Sequence, residues 1–168
     1  MIFEVKKYRE AGIRDLEKLH HLGKLSYTEF SKDLTPENWK VLYHFLENKD
    51  NIKKLIQIGK VFVCEIGKEI VGMIYFIPSG NPTELYKENW CYIRFLGVDP
   101  KYRGLGIGKE LVNFCLRYAK KSEEKIIALH TSEFMNSARM MYEKVGFTKI
   151  KEIERLGKQY WVYKMKLQ

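Results

Sequence analysis

The stretch RFLGVDPKYRGLGIGKELV, residues 94–112, constrains this chain more than any other. An apolar run ends at Val98, Asp99–Pro100 turns the chain, and Gly104, Gly106 and Gly108 alternate ahead of a long helical pattern. Glycine removes the side chain where backbone N–H groups must approach an anion. The start of a helix adds unpaired donors and the positive end of its dipole. Together these features predict a pyrophosphate site at 103–108, with Lys101, Arg103 and Lys109 available to outer phosphates. Two other phosphate motifs do not fit. A Walker loop needs G-x-x-x-x-G-K-[ST], and here Gly108–Lys109 is followed by Glu110. The dinucleotide fingerprint needs G-x-G-x-x-G, and the spacing here is G-x-G-x-G. The plain alternative is a glycine-rich loop that only turns the chain.

Around this junction the pattern alternates between strand and helix periods. Residues 2–8 read as a strand, 11–25 as a helix, and 35–48 as a second helix with Thr35 as N-cap and Pro36 at its first position. KVFVCEI (60–66) and EIVGMIYFI (69–77) form a hairpin about Gly67–Lys68. A polar loop, 78–89, leads to the strand 90–98. Residues 104–121 then read as a mostly buried helix whose polar positions, Lys109, Asn113, Arg117 and Lys120, share one stripe. A strand at 125–130, a helix at 132–145 stopped by Gly146, and a closing hairpin about Gly157 complete the chain. The order predicts a mixed α/β fold with helices on the faces of one sheet.

Bulk properties set the limits. At 168 residues, 45% hydrophobic and 30% charged, the chain has the size and composition of one globular domain, 1–168. No apolar run approaches the ~20 residues that cross a bilayer. The opening MIFEVKKYREAG lacks the apolar core of a signal peptide, so a cytoplasmic location without membrane partners is expected. Cys64, Cys91 and Cys115 are isolated within apolar segments, which predicts buried reduced thiols and no metal site. The formal charge of +9 favours anionic partners, but the basic residues are spread along the whole chain. With no RNP motif, zinc spacing or basic stripe, nucleic acid is the least supported partner.

Residues 103–108, RGLGIG, match the [QR]-x-x-G-x-[GA] pattern at Arg103, Gly106 and Gly108, and A-x-x-x-Y-E-K-x-G-F follows from Ala138 to Phe147. In both, the chain resembles the GNAT superfamily of acyl-CoA N-acyltransferases. The element order agrees too, although the specific motifs lie within 94–147. The resemblance implies a mostly antiparallel sheet of about seven strands with about four helices, and acetyl-CoA as co-substrate. It implies that Leu96, Gly97 and Val98 align the pantetheine arm. Arg103, Gly104, Leu105, Gly106, Ile107, Gly108 and Lys109 would then hold the pyrophosphate. Beside the next strand the sheet of this family splays, so that an acceptor amine can meet the thioester. Homodimers are common among similar proteins, and the resemblance leaves a homodimer open.

Tyr142 stands where relatives often place a tyrosine beside the coenzyme sulfur, which suits a proton donor to the leaving thiolate. Its apolar helix face equally suits a core tyrosine. Many relatives carry Asn three positions before the conserved alanine. Here that position is Met135, and Asn136, one residue away, is the candidate coenzyme contact. Several relatives use a glutamate on the strand before the loop, but WCYIRFLGV has no acid and Trp90 lies near that position. Other relatives place a glutamate eight positions before the alanine, where this chain has His130. A histidine there would serve as general base or as a structural strand-end residue. Glu88, Glu133 or a water relay are the alternatives.

The implied activity is acetyl transfer to a primary amine, on a small molecule or at a peptide or protein N-terminus, by direct attack in a ternary complex rather than through Cys91. An acyl-CoA-binding sensor without turnover is the second expectation, and a basic nucleic-acid-binding protein the third. The acceptor wall is expected within 20–58, with Tyr27, Phe30, Trp39 and His44 as candidates.

Overall fold

Residues 4–168 are described by the structure, a computed structural model. The strands are β1 (Lys6–Ala11), β2 (Lys60–Ile66), β3 (Glu69–Ile77), β4 (Cys91–Val98), β5 (Ile126–Ser132), β6 (Thr148–Arg155) and β7 (Lys158–Lys166). They form one seven-stranded sheet in the order β1-β2-β3-β4-β5-β7-β6. Every pairing is antiparallel except the parallel β4–β5 contact. Five helices cover the faces: α1 (Leu16–Tyr27), α2 (Pro36–Glu47), α3 (Lys49–Ile58), α4 (Ile107–Lys121) and α5 (Asn136–Val145). Two apolar clusters follow from this arrangement. One lies between the sheet and α4 and α5, the other between the sheet and α1 and α3.

Several boundaries differ from the sequence expectation, each for a local reason. The first strand runs over 6–11 instead of 2–8, because its partners on β2 pair Lys6 with Ile66 through Ala11 with Val61. Ile2 and Phe3 lie outside the described residues. The helix expected from residue 11 starts at Leu16, after a 3-10 turn in which the Asp15 carboxylate accepts from Gly12 N–H (3.0 Å). Helix α3 replaces a stretch with no expected element, so the described residues form five helices rather than about four. Asn48 ends α2 with an extended backbone, and its side chain accepts from Asp50 N–H (2.9 Å) to cap α3. Ile52 and Leu55 are then buried on α3. Strand β5 continues to Ser132, which pairs with Tyr160 of β7, so α5 starts at Asn136 instead of 132.

Two features of β4 position the functional region. It pairs with β5 only at Cys91–Ile127 and Tyr92–Ala128, after which the two strands part. Within β4, Arg94 faces Tyr75 and Gly97 faces Met73, so one extra residue is accommodated between them. Phe95 absorbs it with φ 50°, in the left-handed region that normally favours glycine. Because side chains alternate along a strand, this bulge reverses the faces beyond it. Phe95 joins the α1 and α3 side, while Leu96 and Val98 join the α4 side. Gly97 then abuts α1, where a Cβ would meet Ser26 Oγ at 2.5 Å.

Candidate active site

The N-terminus of α4 is presented at the mouth of a cleft. Gly104 (φ 80°) and Gly106 (φ 78°) are left-handed, and no atom lies within 4 Å of where either Cβ would stand. Gly106 is the N-cap, and its carbonyl accepts the first helical bond from Glu110 N–H (3.0 Å). The amides ahead of Glu110 therefore lack helical partners at the positive end of a 15-residue helix. Close packing fixes this end, since a Cβ on Gly72 of β3 would sit 2.6 Å from Ile107 Cγ2. Arg103 braces the loop. Its guanidinium pairs with Glu29 (2.6 Å) and donates to the carbonyls of Ser26 (3.1 Å) and Val98 (3.4 Å).

The cleft has a volume of about 690 Å³ and runs from this loop past β4 to α5. Leu96, Gly97, Val98, Arg103, Gly104, Gly106, Ile107, Gly108 and Lys109 all line it, as do Asn136, His130 and Tyr142. Of the sequence candidates for coenzyme contact, Lys101 is not on the wall, and neither is Leu105. Leu105 is 51% exposed, and its carbonyl accepts from Lys6 Nζ (2.9 Å). Asn136 Oδ1 accepts a hydrogen bond from Arg139. Of the acceptor-wall candidates, Tyr27 and Phe30 line the cleft, whereas Trp39 and His44 line neither cavity. Val41, Leu42 and Phe45, from the same helix, take their place in a second cavity.

Tyr142 is buried, and burial raises its phenol pKa well above the ordinary value. It remains a proton-bearing hydroxyl throughout the neutral range. His130, at the edge of the splay between β4 and β5, shares a 2.5 Å hydrogen bond between its Nδ1 and the Tyr86 hydroxyl. Burial, with Arg155 and Arg94 nearby, lowers its pKa to about 3, so the imidazole is neutral at physiological pH. Tyr86 comes from the 78–89 loop and stacks on Tyr92 of β4 at 4.2 Å. Nothing in the sequence singled it out. Cys91 is buried, its thiol donates to the Ile126 carbonyl (3.3 Å), and burial raises its pKa. It offers no exposed thiolate.

A second cavity of about 480 Å³ shares Tyr27, Ile93, Phe95, His130 and Met135 with the cleft. It is otherwise lined by α2, by Glu84, and by Arg155, Leu156 and Tyr160 around the β6–β7 turn. Arg94 also faces it, with its guanidinium 4.9 Å from the Phe95 ring and 5.9 Å from the Phe45 ring.

The Acetyltransferase (GNAT) family model matches residues 19–147, which hold both cavities' central strands and the glycine loop. The chain belongs to the GNAT family. Among curated relatives it is 33% identical over 96 residues to human N-acetyltransferase 8B, covering 56% of this chain and 41% of that one. An uncharacterized N-acetyltransferase of Methanocaldococcus jannaschii is 33% identical over 86 residues, covering 51% of this chain and 38% of that one. The chain thus spans about two fifths of the length of these relatives. Among solved structures, the PaiA N-acetyltransferase of Thermoplasma acidophilum in complex with coenzyme A shares the fold. Its TM-score is 0.78 at 17% identity, over 96% of this chain and 99% of that one. The ribosomal-protein-S18-alanine N-acetyltransferase of Escherichia coli gives 0.74 at 12% identity, over 97% and 94%. The seven-stranded, mostly antiparallel sheet is accordingly the GNAT fold. Among the described residues, no helix is long and apolar enough to cross a membrane.

Proposed function

We propose that the protein transfers an acetyl group from acetyl-CoA to a primary amine by direct attack in a ternary complex. The observation that carries this is the shared cleft: the open amides of the α4 start, the bulged edge of β4 and the Tyr142 side chain all face one space. Gly104, Gly106 and the amides of Ile107, Gly108 and Lys109 suit a pyrophosphate, because the space at the Gly104 and Gly106 Cβ positions is open. Leu96 to Val98, on the open edge of β4, suit the extended pantetheine arm.

The amine nitrogen attacks the thioester carbonyl, the C–N bond forms, and the C–S bond breaks. Tyr142 gives its proton, or a hydrogen bond, to the departing sulfur. The attacking nitrogen must also shed a proton. His130 can accept it at Nε2 when Nδ1 donates to the Tyr86 oxygen. With a pKa of about 3 it cannot hold that proton, so it acts as a relay to water rather than as a store. The same weak basicity favours one rival, a domain that binds acyl-CoA without turnover.

A thermal-shift titration with acetyl-CoA, followed by thiol release across a panel of amines, tests both. Stabilisation together with amine-dependent release of free coenzyme A supports transfer. Stabilisation with no release from any amine supports the binding module. No stabilisation at saturating coenzyme sinks both.

A further inference from the structure

The second cavity holds an unpaired cation. Among the described residues, no carboxylate lies within 4.0 Å of the Arg94 guanidinium. Its guanidinium is wedged by the rings of Phe45 and Phe95, and burial, with a smaller push from the Arg155 charge, pulls its pKa below the ordinary arginine value. Arg155 lies on the same wall and has only one acidic partner there, Glu84, at 3.8 Å. That glutamate is 82% exposed, so the pair is loose and largely screened. Two arginines against one solvent-facing acid leave this cavity cationic. Keeping a guanidinium desolvated without a counter-ion is costly, and the usual resolution is an anion that accepts its paired N–H groups.

The cavity meets the first cleft at Phe95 and His130, so a molecule lying across both would have one end near the transfer site and the other at Arg94. Val41, Leu42, Phe45 and Leu156 give other parts of this cavity's wall an apolar character. We propose that the acceptor is a primary amine carrying a carboxylate, with Arg94 binding the carboxylate and the apolar walls holding the body of an amino-acid-like molecule. This inference rests on the acetyl-transfer reading and narrows it. Polycationic amines are disfavoured by the same field. An amine near two guanidiniums also loses its proton more readily, which helps the attacking nitrogen reach its free-base form.

The test compares L-phenylalanine, L-phenylalaninamide and phenethylamine as acceptors, in the wild type and in the Arg94→Gln, Arg94→Lys and Arg155→Gln variants. The amide's amine is the less basic, so its own reactivity at neutral pH favours it over the acid. The proposal predicts the opposite order in the wild type, with kcat/KM for the acid on the order of 100-fold above the amide. Arg94→Gln should bring that ratio to unity or below, mainly through the acid's KM, with Arg94→Lys and Arg155→Gln intermediate. Equal use of acid and amide by the wild type, or a preference that survives Arg94→Gln, overturns it. Acetyl-CoA thermal shifts on the same samples separate the two levels. A coenzyme shift with turnover of the amide but no preference for the acid sinks only the carboxylate assignment, whereas absence of any coenzyme shift sinks the transfer reading itself. If no acceptor is turned over, thermal shifts by N-acetyl-L-phenylalanine and its amide decide the matter, and failure of the acid to bind better overturns the proposal.

Discussion

The two cavities on either side of the β4 bulge are built from different materials. The cleft beside α4 offers mostly backbone: left-handed glycines, the first amides of a helix, and the edge of β4 that has lost β5 as a neighbour. Arg103, a charged side chain on its wall, is already committed to Glu29 and two carbonyls. The second cavity offers mostly side chains, gathered from α2, Glu84, β4 and the β6–β7 turn. A wall of main chain depends little on which residues flank it, so it suits a ligand that never changes. A wall of side chains is rewritten by single substitutions, so it suits the partner that distinguishes one relative from another. The shared residues Phe95 and His130 mark where the constant and the variable halves meet.

The harshest way to break this contrast is Gly106→Arg. The new side chain would occupy the cradle and strain a φ of 78°. The stabilisation by acetyl-CoA, roughly 2.7 kcal/mol at about one hundred times the dissociation constant, should vanish while the protein stays folded. A retained shift would show that side chains, not the main chain, hold the coenzyme. Next in size, Tyr142→Phe should lower kcat about 100-fold with little change in the KM for acetyl-CoA, as loss of a proton donor requires. An unchanged kcat in steady-state assays would return Tyr142 to the role of core packing.

His130→Gln probes the junction of the halves, and its sharper readout is stability against pH. Folded His130 titrates near 3, and unfolded histidine near 6.5. The stability this neutral form contributes is complete above about pH 6.5 and is lost progressively as pH falls toward 3. Chemical denaturation over that window should therefore give a flatter curve for His130→Gln than for the wild type, by a few kcal/mol at the acid end. Parallel curves would mean that the ring is freely solvated. The smallest effect belongs to Arg103→Ala. Its ion pair with Glu29 is well exposed and worth at most about 1 kcal/mol, so the melting point should fall by roughly 2–4 °C. Coenzyme affinity should change little. A large loss of coenzyme affinity instead would assign the guanidinium to the phosphates.

The same difference in materials explains what could be read before the fold was known. A site made of main chain leaves a compact local trace, because the glycines that open it lie close together in the chain. Residues 103–108 and the strand before them were legible for that reason. The second cavity left no such trace. Phe45, Glu84, Arg94 and Arg155 are far apart in sequence, and Tyr86 sits in a polar loop with no periodicity. Arg94 did leave one clue, as a charge inside the apolar run WCYIRFLGV. Its meaning depended on the bulge at Phe95, which breaks strand alternation without leaving a glycine to mark it. Helix α3 was missed because α2 and α3 abut at Asn48, whose cap needed only its own side chain.

The two-residue contact between β4 and β5 has a mechanical consequence as well. It makes the sheet a pair of panels, β1–β4 and β5–β7, stitched at one end and open at the other. Panels joined so briefly need not open with the same free energy, and amide hydrogen exchange would see them as separate cooperative units. A molecule lying in the gap would act as the missing seam. Its arrival would then be recorded not only where it touches β4, but as slowed exchange in β7, one strand beyond the gap.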